Sequence, residues 1–435
     1  MSEAGNAQVA TGWRWAPAWV LAFVALWPAP GYAEAILALG ALAGIVRLFQ
    51  ARFRGGTALL SEPAWALTTV LFITYWLPEA ISAVDAVDHA RAWREVLVDL
   101  RYLPFLWIVA SAVASEAGRR RTFGGLAIII AVWTVDGLVE AITNTSPLFW
   151  SIDHIKQLIS GHGMCTAAEV AALDRLSGVL GPCNLKLGIV LASLSPFALD
   201  AAGRRFGRIG WLLAASMVGL VILLAGARAA WLTYALVLLW SGWRLLGWKR
   251  LLGVFALGAA LLFAAAMLSP TVAERLDRST AALTGNAEGV DHALSGRSRI
   301  WSAALCMIRE HPINGVGARG FRDAFASCDQ DAGEIAAWGT GPALHAHQIV
   351  LEVLSETGLI GLLLWLAGAA MAWRAWRYAD PAAREQARPA MLALAVTVFP
   401  LNTHLAVYST FWGGVVLLLA ALYAGSLLNR ETASA

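Results

Sequence analysis

Residues 208–243 read RIGWLLAASMVGLVILLAGARAAWLTYALVLLWSGW. Apart from Arg208 at the edge, the only charged side chain in this stretch is Arg228. Each half approaches the roughly 20 apolar residues with which an α-helix crosses the hydrocarbon of a bilayer. Gly226-Ala-Arg228 reads as a tight turn between two such spans. The rest of the chain has the same character. Of its 435 residues 59% are apolar and 14% charged, and the mean hydropathy is +0.63. A soluble globular chain carries roughly 45–50% apolar and 25% charged residues. A soluble enzyme, a disordered chain and a fibrous chain are therefore excluded, which leaves an all-α, polytopic membrane protein. The 21 Trp suit the membrane–water boundary. The formal net charge of +3 gives no reason to expect nucleic acid as a partner.

Twelve windows have the length and apolarity of a span: 14–30, 33–50, 63–80, 101–117, 123–142, 184–201, 208–225, 228–243, 250–268, 346–373, 389–405 and 407–427. With the N-terminus in the cytoplasm and the loops alternating, the inside segments hold 18 basic and 7 acidic residues; the remainder holds 14 basic and 22 acidic. Every inside connection is then basic, as the positive-inside rule requires. The expected topology has both termini in the cytoplasm. The first window lacks a small-residue cleavage site and reads as a retained span, not a removed signal.

The long outside segments are 81–100, 143–183 and 269–345, which divides the chain into spans 1–268, a large outer loop domain 269–345 and closing spans 346–435. No internal repeat or low-complexity tract is evident. All four cysteines, Cys165, Cys183, Cys306 and Cys328, fall in outside segments, as expected for disulfides on an oxidising face. Four cysteines allow three pairings. The local one, Cys165–Cys183 with Cys306–Cys328, is the expectation. Zinc is not expected, because neither a C-x-x-C motif nor clustered His accompanies the cysteines.

Ionisable residues at membrane depth are costly, so their positions point to function. Residues 85–101 have helical periodicity, with Ala90, Trp93, Leu97 and Leu100 on one stripe, and read as a helix lying on the outer boundary. Arg94 reads as a boundary anchor, and Arg101 as either an anchor or a site residue. Arg175 and Lys186 flank Gly178, Gly181 and Asn184, a composition suited to an anion-binding turn or to a plain junction. Arg228 requires an anion, supplied either by a substrate or by Asp136 or Glu140 of the fifth span. A helix is predicted over 298–310, closed by Pro312, with Arg297 at its start, where a cation opposes the helix dipole. Arg319 and Arg322, taken alone, read as solvated. His345 and His347 precede the tenth span. A lone histidine there would be a structural hydrogen-bonder, but next to several arginines on one face it becomes a candidate base.

Guanidinium groups match a diphosphate by paired hydrogen bonds, and a polyprenyl tail would lie among the apolar spans. The expected ligand is therefore a lipid-linked diphosphate at the outer boundary. No G-x-x-x-x-G-K-[ST] loop is present, so ATP is not implied, and neither a cofactor nor a metal is expected. An activated sugar diphosphate lipid needs only a base for the acceptor hydroxyl and cations for the leaving charge.

Four motifs carry a family resemblance. They are Ala225-Gly-Ala-Arg228-Ala-Ala-Trp231, Ser295-Gly-Arg297 with Trp301, His311-Pro-x-x-Gly-Val-Gly317, and His345-x-His347-Gln with Glu356-x-Gly358-x-x-Gly361. In order and spacing, over about 175–365, the chain resembles the superfamily of O-antigen ligases and polymerases. The resemblance implies a GT-C-like helical fold in the inner membrane of a Gram-negative bacterium. It also implies inverting, metal-independent transfer of O-antigen from undecaprenyl diphosphate to a sugar of lipid A core, with the active site on the periplasmic face. The family's essential histidine corresponds to His347 and its two prominent arginines to Arg228 and Arg297. Arg101, Arg175, Lys186, Arg319 and His345 are the further candidates for substrate binding. Many members have Asn after the second histidine, where this chain has Gln348. An O-antigen polymerase and a pilin-glycosylating oligosaccharyltransferase use the same donor. A transporter of lipid-linked sugar would call for a repeat-related pair of broken helices.

Overall fold

The computed structural model describes residues 13–53, 58–171, 175–268, 273–274, 277, 297–329, 343–402 and 406–428. Among them the regular structure is helical, with no strand. The helices are α1 (Ala16–Ala25), α2 (Pro30–Phe53), α3 (Glu62–Ser82), α4 (His89–Asp99), α5 (Tyr102–Ala112), α6 (Glu116–Thr143), α7 (Pro147–Ser160) and α8 (Ala167–Ala171). They continue with α9 (Leu187–Leu224), α10 (Arg228–Leu246), α11 (Trp248–Leu268), α12 (Arg297–Glu310), α13 (Phe321–Cys328), α14 (Ile349–Tyr378), α15 (Pro381–Thr397) and α16 (Thr410–Leu428).

All twelve predicted windows overlap these helices, which differ in length. Seven helices among the described residues (α2, α3, α6, α9, α10, α14 and α16) are long and apolar enough to cross a membrane. α1 is a 10-residue helix, cut short because Pro28 and Pro30 follow within a turn. α5 has only 11 residues, bounded by its junction with α4 and by the Ser115 cap of α6. α15 has 17 residues and ends just before Pro400. The windows 184–201 and 208–225 are the two arms of α9, which reverses at Gly207 (φ 63°, ψ −148°) so that Gly188 near its start packs beside Ala225 just past its end.

α16 is the central helix, buried along nearly its whole length and packed by α15, α5 and α3. Lipid tails are as apolar as leucine, so close backbone approach, rather than water exclusion, holds such helices together. Glycine allows that approach. A Cβ on Gly425 of α16 would lie 2.3 Å from the Ala110 carbonyl oxygen of α5, and one on Gly44 of α2 would lie 2.6 Å from that of Pro104.

A second small core lies outside the bundle. Ile300, Ala304 and Met307 of α12 pack with Phe321 and Phe325 of α13 and with Ala343 and Ala346. The Cys306–Cys328 disulfide ties α12 to α13, and Cys165–Cys183 joins the stretch after α7 to the start of the loop before α9, so both expected local pairs form. α4 buries Ala92, Val96 and Asp99 and exposes Trp93, Leu97 and Leu100, the apolar stripe predicted for a boundary helix. Arg91 pairs with Asp323, and Asn314 donates to Asp85, which fastens the α4 region to the 312–323 segment.

Candidate functional site

Six helices here begin with a side chain that caps them. Ser61, Asp88, Ser115, Ser146, Gln348 and Asp380 each accept a hydrogen bond from an N–H of the first turn. Others begin with a cation instead, Arg101 as the N-cap of α5 among them. Lys186 is the N-cap of α9, Arg228 opens α10 behind Ala227, and neither start has a side-chain capping bond. Arg297 opens α12. A helix start already carries positive partial charge and unfilled N–H groups, so a cation placed there favours an anion twice over.

The starts of α9, α10 and α12 are brought together. Gly226 turns the chain at φ 69° between α9 and α10. Gly188, two residues after Lys186, packs on that turn; a Cβ there would stand 3.1 Å from Ala225 and 3.5 Å from Ala230. The Leu176 N–H donates to the Leu224 carbonyl at 3.4 Å, which brings Arg175 to the same turn. Burial, followed by the neighbouring Arg228, pushes Arg297 down to about 10, so these two guanidiniums lie within electrostatic reach. Burial and then Arg319 likewise lower Lys186, whose ammonium sits 4.7 Å from the centroid of the Phe411 ring. Trp301 of α12 donates from Nε1 to the Ala346 carbonyl at 3.1 Å and so holds the His345–His347 segment against the helix that Arg297 opens. His347 is buried, with φ 54°, and its ring lies 3.9 Å from that of His345, centroid to centroid.

The other candidates have visible partners. Arg101 forms an ion pair with Glu34 and lies 5.8 Å from the centroid of the Tyr102 ring, the arrangement of a boundary pair. Arg319 has φ 62°, and its N–H donates to Glu356 Oε2 at 2.8 Å. Its charge is within reach of Asp99, Glu352 and Glu356 on one side and Lys186 on the other. Asp136 accepts from Ser146 Oγ at 2.6 Å and Leu148 N–H at 2.9 Å. Glu140 accepts from Ser177 Oγ at 3.0 Å and Gly178 N–H at 2.5 Å. Both carboxylates therefore organise the 143–183 segment. Cys306, Glu310 and Cys328 cluster, but the two sulfurs are joined in a disulfide and offer no thiolate to a metal.

Residues 211–366 match the family model described as O-Antigen ligase. Over these residues the chain is similar to the O-antigen ligase family. No curated protein matches the chain. The matched segment contains Arg228, Arg297, Arg319, His345 and His347, while Arg101, Arg175 and Lys186 precede it. The family consists of membrane ligases and polymerases of glycosyltransferase type, with lipid-linked polysaccharides as substrates.

Two of the quoted motifs turn out to be halves of one joint in this matched segment. α14 is broken at Gly358 (φ 65°), and the 312–319 segment docks on the break. Leu359 and Ile360 N–H donate to the carbonyls of Pro312 and Ile313, and Val316 and Gly317 N–H donate to those of Ser355 and Glu356. A Cβ on Gly315 would lie 2.3 Å from the Glu356 carbonyl carbon, and one on Gly358 would lie 2.2 Å from the Ile313 oxygen. The glycines thus serve backbone contact. Gln348 also has a structural task. Its Oε1 accepts from Leu351 N–H at 2.6 Å and its Nε2 donates to the Pro400 carbonyl at 2.8 Å.

Sequence reasoning missed several charged groups. Arg322, expected to be solvated, has Nε and one terminal nitrogen buried without a hydrogen-bond partner among the described residues. Burial lowers it, followed by Arg319 and Arg91. Glu79, Asp99, Glu352 and Glu356 are buried behind Arg319, and both oxygens of Glu79 lack partners among the described residues. Glu79 lies inside an apolar run, and Asp99 reads as a surface charge; only packing reveals that they share a region.

Proposed function

We propose that the protein is an O-antigen ligase that moves glycan from undecaprenyl diphosphate to a sugar hydroxyl of lipid A core on the periplasmic side of the inner membrane. One observation carries the reading: Arg228 and Arg297, at the starts of α10 and α12, lie within electrostatic reach of each other, and α12 is tied to the segment bearing His347. The diphosphate binds between the two guanidiniums and the helix N–H groups. His347 takes the proton of the acceptor hydroxyl. The acceptor oxygen forms a bond to the anomeric carbon from the face opposite the diphosphate. The bond from that carbon to the phosphate oxygen breaks, and its electron pair leaves with the diphosphate, whose growing charge the arginines stabilise. The configuration inverts, and the chemistry needs no metal and no ATP.

The test is complementation of a strain that lacks the protein. His347→Ala is expected to reach the membrane in normal amount, with transfer reduced about 10²–10⁴-fold. The lipid A core should then carry no glycan. A core carrying single repeats would identify a polymerase instead, and normal ligation would remove the base assignment. Arg228→Ala is expected to weaken binding of the lipid diphosphate on the order of tenfold to a hundredfold. Unchanged binding would remove the anion site.

A further inference from the structure

The far end of the bundle carries its own cavities. Arg244 follows Arg228 on α10 by sixteen residues, roughly 24 Å along the axis at 1.5 Å per residue. Cavities of about 440 Å³ and about 790 Å³ lie there and share Arg244, Glu385, Arg388 and Leu392 in their walls. The larger is walled by Trp240, Trp373, Trp376 and Tyr423, with Arg384 as a third guanidinium. Glu385 is the one carboxylate lining it. It takes Arg244 at 3.0 Å and Arg388 at 3.8 Å. Among the described residues three cations therefore face one anion in a mostly apolar cavity. Arg388 also donates to the Trp240 carbonyl at 3.1 Å, and Arg384 to the carbonyls of Ala379 and Arg377, which fixes two of these heads in place. Tyr423 donates to the Ala372 carbonyl at 2.7 Å, which fixes that wall. Trp373 is 64% exposed and faces outward from the bundle.

We infer that this cavity binds the headgroup of an anionic phospholipid, its phosphodiester on Arg244, Arg384 and Arg388 and its acyl chain along the tryptophan wall. Excess positive charge selects a phosphate, and the aromatic lining beside lipid selects one that carries a tail. A free phosphate would leave that lining without a partner. The bound lipid joins α10 to α14 and α15 through its headgroup. The site is separate from the transfer site at the opposite end of α10.

Native mass spectrometry of the purified full chain tests the inference, with phosphatidylglycerol, phosphatidylcholine of the same acyl chains and inorganic phosphate as probes. Phosphatidylglycerol should be retained about tenfold over phosphatidylcholine and should survive excess inorganic phosphate. Arg244→Gln, at a 68% exposed side chain, should weaken retention about fivefold. Arg374→Gln removes the same charge from an exposed position outside the cavity and should change nothing. Trp373→Ala, on the outward wall, provides a second variant and should also weaken retention. Equal retention of the two lipids would overturn the inference. So would displacement by inorganic phosphate, equal loss in Arg374→Gln and Arg244→Gln, or full retention by both Arg244→Gln and Trp373→Ala.

Discussion

Arg228, Arg297 and Lys186 share one property: each occupies the start of a helix, where a carboxylate or hydroxyl would be favoured. Two of the three violations are visible in the sequence, Arg228 as a cation inside an apolar run and Arg297 as the first residue of a predicted helix. The buried carboxylates were not legible, because burial is a property of packing. Asp99 shows the consequence. Burial, with Glu95 second, raises it to about 7, against about 3.9 in an unfolded chain. Between those values the native state holds a proton that the unfolded state has released. Stability from this group is therefore greatest below about pH 4 and is lost as the pH rises through about 7. Asp99→Asn is expected to raise the melting temperature, by a gain that grows from pH 4 to 7 and levels off above. A gain independent of pH would contradict this account of the site.

At the scale of elements, local rules located the helices well. Prolines, serine caps and apolar windows give their positions, and the helix predicted over 298–310 is observed as Arg297–Glu310. Their lengths and breaks depend on neighbours. The break of α14 at Gly358 exists because the 312–319 segment fills it, a contact between residues some forty positions apart that no local pattern encodes. Gly358→Ala forces a side chain into a left-handed backbone and onto the Ile313 carbonyl. It is expected to cost about 3 kcal/mol or more, read as a lower melting temperature in detergent. Gly258→Ala in α11 meets nothing within 4 Å and should be neutral or stabilising by up to about 1 kcal/mol. Equal effects of the two substitutions would remove the joint as a feature of the fold.

For the whole molecule, the charge asymmetry read along the chain becomes two ends of one bundle. One end gathers Lys186, Arg228, Arg297 and His347 around the outer segments, and the other carries Arg244, Arg384 and Arg388. From the positive-inside rule we propose that the second end faces the cytoplasm. Arg94→Cys and Arg374→Cys, both at exposed positions, should therefore react with a membrane-impermeant thiol reagent from opposite sides, Arg94→Cys from the periplasm. Labelling of both from one side would reverse the topology. The central claim is transfer of glycan from a lipid diphosphate by His347 with Arg228 and Arg297. Its most direct measurement is transfer by the purified protein, reconstituted with a labelled polyprenyl-diphosphate glycan and lipid A core, without ATP and with chelator present. The account predicts labelled lipid A core from the wild type and none from His347→Ala, which still binds the donor. Absence of product from the wild type, or equal product from His347→Ala, would contradict it.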